Sequence, residues 1–174
     1  METTEVVQLS ATFLALFSTI AAFWAAKEAR QSAIETRKAS QAALVSELLD
    51  AYASSEMLES MISLRTFFDL NGLRFSDEFQ RMRSGDWSEV KEIDHARRRV
   101  SHFFGKIHRL WAAGLIDEEL TRVVATEGQV QFFREVIEPL EAALNVDYNR
   151  FPFEKLGALY GIPRYVRGIS NPSH

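Results

Sequence analysis

Residues 6–26 read VVQLSATFLALFSTIAAFWAA, and Lys27-Glu28-Ala29-Arg30 follows directly. These 21 residues carry no charge, whereas Glu2 and Glu5 precede them and all 20 basic residues of the chain lie after them. A helix of this length rises about 32 Å, enough to cross a hydrocarbon core about 30 Å thick. A secretory signal peptide would place its basic residues before the apolar run, and this chain begins METTE. The stretch therefore predicts a single transmembrane helix. Lys27, Arg30, Arg37 and Lys38 on its C-terminal flank predict an N-terminus outside and a C-terminal domain in the cytoplasm.

Working outward, the first glycine is Gly72 and the first proline Pro139. Nothing before Gly72 breaks a helix, so the apolar helix is expected to continue to about Ala53, interrupted near Ser54-Ser55. Met57, Leu58, Met61, Ile62, Leu64, Phe67 and Phe68 then recur at helical spacing, and Asn71-Gly72 closes that helix. A short helix over 76–83 follows. Asp86 with Glu89 reads as a capping box opening a long helix to Ala113, capped by Gly114. Further helices are expected from Asp117 to about Ala125 and from Gln129 to Leu144, with a kink at Pro139. No stretch alternates as a strand does. The expected fold is all-α, a transmembrane helix continuing into a long cytosolic helix and then a helical bundle. Its expected parts are 1–26 (tail and span), 27–53 (juxtamembrane helix), 54–145 (bundle) and 146–174 (an irregular C-terminal tail with a helical turn near Glu154–Tyr160).

The chain has 174 residues, a net charge of −4 and no cysteine, which excludes disulfide scaffolds, thiolate zinc sites and thiol nucleophiles. It has no Gly-rich phosphate loop, no Gly-x-Ser-x-Gly and no His-Glu-x-x-His. Its four histidines form no ligand set with neighbouring carboxylates, so neither metal nor cofactor is expected.

Two patterns carry candidate function. Steps of four and three along the first helix give Gln8, Thr12, Ala15, Thr19, Ala22, Ala26, Ala29 and Ala33, all small or polar, while Phe13, Leu14, Leu16, Phe17, Ile20, Phe23 and Trp24 fall elsewhere around it. Such a seam, repeating every 3.5 residues, suits close packing against another subunit, so a homo-oligomer in the bilayer is expected; its polar members would line a pore if many copies assemble. In the long helix after Asp86, Val90, Ile93, Val100, Phe104, Ile107 and Trp111 share an apolar face with Arg97 in its middle. His95, Arg98, His102 and Arg109 share the opposite face, with Arg99 and Lys106 beside them. Arg98, Arg99, Lys106 and Arg109 are candidate ligands for the phosphates of RNA or of lipid head groups. The alternative is a solvated face paired with acids of a neighbouring helix.

Arg97 and His102 match the spacing Arg-x4-His, which resembles the signature of the HEPN superfamily of all-helical domains, many of them RNA-cleaving dimers. The resemblance implies Arg97 and His102 as catalytic residues, the arginine holding a phosphate and the histidine moving a proton. On an ideal helix, however, the two lie about 140° apart. The wider layout also resembles a family of bacterial membrane-anchored helical proteins of unknown function. It comprises the N-out apolar helix, the Ala-rich stretch Trp24 to Arg30, Asp94 to Phe104, Gly114-Leu115-Ile116-Asp117 and Ile137-Glu138-Pro139-Leu140-Glu141. The same layout resembles the small membrane accessory proteins found beside type VI-B CRISPR RNA-targeting effectors. That likeness implies an oligomeric pore in antiviral defence, with a CRISPR effector or RNA as partner. The alternatives are a membrane-tethered ribonuclease or RNA-binding module, and a passive anchor for a cytosolic partner.

Overall fold

The computed structural model describes residues 3–85, 87–145 and 151–163, and their side chains except at 3–16, 89, 151 and 152. These residues form helices joined by turns, with no strand among them. The chain divides into two units, 1–43 and 44–174.

The first unit is helical from Thr3, the start of α1 (Thr3–Tyr52). From Phe17 to Ser40 every side chain is exposed. Three contacts here are local to the helix: Gln31 donates to Glu35 one turn on, Ser40 donates to the Thr36 carbonyl, and the Lys27 ammonium lies 5.2 Å from the Trp24 ring centroid. Among the described residues no helix is long and apolar enough to cross a membrane. The expected span starts at Val6, so about half of it falls outside the described side chains.

The second unit begins where α1 acquires a buried face. Leu48 is buried, and Leu44, Val45 and Tyr52 pack partly against the same core. The last turns of α1 therefore belong to the second unit. Ser54 ends α1 and caps α2 (Ser55–Asn71): its extended backbone turns the chain and its hydroxyl accepts from the Met57 N–H at 3.3 Å. Gly72, at φ +54, closes α2 in a conformation that side chains with a Cβ resist. A 3-10 turn, Gly72–Arg74, leads into α3 (Phe75–Ser84). Next comes α4 (Trp87–Ala112), with Gly114 at φ +68 just beyond it. The expected capping pair at its start, Asp86 with Glu89, lies outside the described residues and side chains. Asp117 caps α5 (Glu118–Val124) by accepting from the Leu120 N–H at 2.9 Å.

The expected helix from Gln129 to Leu144 differs from the observed one at both ends of its first half. α6 (Glu127–Phe132) starts two residues earlier, because the Gln129 side chain reaches back to the Thr126 N–H at 2.7 Å and satisfies a donor at the helix end. Ahead of Pro139, where a kink is expected, the helix widens into a π segment over Phe133–Ile137 and resumes as α7 (Glu138–Leu144). Pro139 has no N–H for the Glu135 carbonyl and its ring crowds that carbonyl, so the turn before it opens to make room.

α4 is the central element, with α2, α3 and α8 (Phe151–Ala158) packed on it. Val90, Val100, Phe104 and Ile107 of α4 are buried with Leu64 of α2, Phe79 of α3 and Val136, Ile137 and Leu140 of the π segment and α7. The helical turn expected near Glu154–Tyr160, in a docked or frayed tail, overlaps a helix that packs on α4. α8 (Phe151–Ala158) sets the Phe153 ring flat on Phe133, with centroids 3.8 Å apart, and Leu156 is buried. The Tyr160 hydroxyl donates to the Ala125 carbonyl at 2.7 Å. An apolar pair and one satisfied hydroxyl thus hold a segment whose Pro and Gly content suggests fraying.

Candidate functional site

Arg97 occupies a heptad position between Val90 and Phe104, so α4 carries a guanidinium into its own apolar face. Only 7% of that side chain is exposed. The charge is met on two sides. Asp94, one turn earlier and wholly buried, accepts from Arg97 Nε at 3.2 Å and from Nη2 at 2.8 Å through a single oxygen. Glu141 of α7 accepts from Arg97 Nη1. The second Asp94 oxygen lies 2.9 Å from Nε of Arg98, whose side chain is 57% exposed. Two carboxylates thus share one buried and one half-exposed guanidinium, and the cluster ties α4 to α7.

His102 is on the exposed side of α4. The structure does not bring Arg97 and His102 together: one is in the core with its donors directed at carboxylates, the other is at the surface. For Arg97 to hold a phosphate, an anion would have to replace a carboxylate that already neutralises it in a buried setting, where the Coulombic attraction is strongest.

The four candidate phosphate ligands divide in the same way. Arg99 Nη1 donates to the Glu56 carbonyl at 3.0 Å and to Ser60 Oγ at 2.7 Å, tying α4 to the first turns of α2. Lys106 pairs with Glu47 near the end of α1 at 2.6 Å. Arg98 pairs with Asp94. Arg109 is exposed in the last turn of α4, where a cation complements the helix dipole. The basic face is therefore in large part an internally paired one. Its partners Glu47, Glu56 and Ser60 lie 39 to 59 residues away along the chain, as Glu141 does from Arg97, and no local pattern marks them.

Of the eight seam positions, Gln8, Thr12 and Ala15 lie outside the described side chains, and Thr19, Ala22, Ala26, Ala29 and Ala33 are exposed. Phe17 (69%), Phe23 (68%), Trp24 (57%) and Ile20 (47%) are exposed as well. Among the described residues no group of three or more His, Asp or Glu could hold a metal ion.

His108, which no motif in the sequence marks, is buried at the end of α4. Burial, reinforced by Lys155 of α8 and by Arg109, pushes its imidazole below the ordinary histidine pKa. The unfolded chain, titrating near 6.5, then binds more protons than the folded one. The stability contributed by neutral His108 is present above about pH 6.5 and is lost as the pH falls through the folded value. Urea unfolding measured from pH 8 to 5 should show stability falling in that window, with His108→Gln flattening the fall. A wild-type stability that rises on acidification would contradict the assignment.

No protein-family model, curated protein or solved structure matches this chain.

Proposed function

We propose that this chain is a membrane-anchored, self-associating helical protein. In this reading residues 6–26 lie in the bilayer of a bacterial inner membrane with the N-terminus outside, and the helical bundle is held at the cytoplasmic face. The observation that carries the reading is that α1 from Phe17 to Ser40 is exposed on every side, aromatic residues included. Most helical stability in proteins comes from packing an apolar face, and this stretch packs no face against its own unit. Removing Phe17, Ile20, Phe23 and Trp24 from water is worth roughly 1.5–3 kcal/mol each, a gain that lipid or a partner helix supplies. A helix also satisfies its own backbone groups, as hydrocarbon demands.

Lipid alone does not account for the seam. Large residues facing acyl chains and small residues along one line suit helices that approach one another closely, so the oligomer is the functional form. The activity we assign to it is a change in membrane permeability, with Gln8, Thr12 and Thr19 toward the assembly axis, in the antiviral-defence setting that the layout implies.

Leucine at Ala22 and Ala29 puts bulk into the seam, where overpacking costs about 1–3 kcal/mol. The detergent-extracted complex should lose mass, and liposomes carrying the variant should pass fewer ions than wild type. Leucine at Ala21 and Ala25, off the seam, is the control. A monomeric wild type, or equal effects of the two pairs, would remove the self-association reading.

A further inference from the structure

Between α2 and α4 lies an open groove of about 380 Å³. It involves none of residues 1–43, so a ligand bound there would be independent of the membrane reading. One wall is a row on α4, Lys91, His95 and Arg99, spaced four residues apart and therefore on one side of the helix. The facing wall is α2, with Glu59, Ser60 and Ser63. Ser88, Glu92 and Ala96 complete the lining from α4, and Glu92 accepts from the Ser63 hydroxyl at 3.3 Å.

The state of these groups is uneven. Arg99 is held in place through Nη1 by Glu56 and Ser60, which leaves its Nε and Nη2 donors without a protein acceptor among the described residues. Lys91, His95 and Glu59 are exposed and make no hydrogen bond or ion pair among the described residues. A fixed guanidinium is thus combined with an ammonium and an imidazole that have no internal partner, opposite a carboxylate that has none either.

The chemistry of the lining selects a ligand. A bare phosphate would meet the cations, but also two carboxylates that repel it. A neutral sugar would satisfy the carboxylates and serines and leave the cations unused. A nucleotide would bring a base, but the lining has no Phe, Tyr or Trp, and stacking the base on His95 or Arg99 would take that cation from the phosphate. A molecule with a phosphate at one end and several hydroxyls at the other uses all of it: Lys91, His95 and Arg99 donate to the phosphate, and Glu59 and Glu92 accept from hydroxyls. The volume is within the range of small-molecule sites. We infer that the α2–α4 groove is a binding site for a phosphorylated polyol, a sugar phosphate or an inositol phosphate head group.

Full-length protein in neutral detergent, titrated calorimetrically, tests this. Glucose 6-phosphate should bind saturably and at least about tenfold more tightly than inorganic phosphate or glucose alone, since each supplies only half of the contacts. Lys91→Gln should weaken glucose 6-phosphate about tenfold. Glu59→Gln should weaken it while tightening inorganic phosphate, which loses a repelling carboxylate, a split that a loss of folding would not produce. Both side chains are exposed, so unchanged circular dichroism is expected for both variants. Micelles doped with phosphatidylinositol 4-phosphate separate the two sources of this chemistry: Lys91-dependent binding of the lipid assigns the site to a head group, and binding of free glucose 6-phosphate alone assigns it to a soluble metabolite. No saturable binding of either probe, inorganic phosphate binding as tightly as the sugar phosphate, or indifference to Lys91→Gln would overturn the inference.

Discussion

Arg97→Ala is expected to destabilise the bundle by about 3–5 kcal/mol, the usual cost of stranding a buried charge. The variant leaves Asp94, wholly buried, with Arg98 as its remaining cation, and leaves Glu141 without its guanidinium. The urea midpoint should fall by on the order of 1–2 M. Arg98→Ala is the milder comparison: its side chain is 57% exposed, and the wholly buried Asp94 keeps Arg97 as its partner, so the loss should be smaller than for Arg97→Ala. The triple replacement Asp94→Leu, Arg97→Met, Glu141→Leu should recover most of the loss, because no uncompensated charge remains. If the triple variant were as unstable as Arg97→Ala, lost packing would be the cause instead. The same variants bear on the ribonuclease reading. RNA cleavage by the pure protein that disappeared in both Arg97→Ala and His102→Ala, with folding intact, would restore that reading and displace the pore.

Deleting residues 1–26 is expected to move the protein from the membrane fraction to the soluble one essentially completely. The deletion removes the uncharged run, including Phe17, Ile20, Phe23 and Trp24, and leaves the second unit with its own core. Four apolar side chains at roughly 1.5–3 kcal/mol each outweigh what the basic flank can hold by charge alone, and that residual attraction is screened by salt. A truncated protein that stays with membranes after a high-salt wash would show that 1–26 is not the anchor. A reporter active only in the cytoplasm, fused after His174, should work; an active periplasmic reporter there would reverse the orientation.

What could be read from the residues alone is what local interactions decide. Ser54 before α2, Asn71-Gly72 after it, Gly114 after α4 and Asp117 before α5 are helix-end signals whose partners lie within four residues, and each helix ends where its signal stands. The apolar face of α4 and the intrusion of Arg97 into it follow from helical period alone.

The tertiary structure decided what depends on which helices meet. That Glu141 reaches Arg97, that Glu47 takes Lys106 and that Glu56 and Ser60 take Arg99 is set by packing between elements 39 to 59 residues apart. The contacts of Lys106 and Arg99 turn part of an apparent phosphate-binding face into internal ties. The same packing buries His108, docks Phe153 on Phe133 and brings α2 against α4 so that Lys91, His95 and Arg99 face Glu59 across a groove. A hydrogen bond within one turn is specified by the residues that make it. A contact between helices also needs the crossing angle and register of two surfaces, which the whole core sets at once.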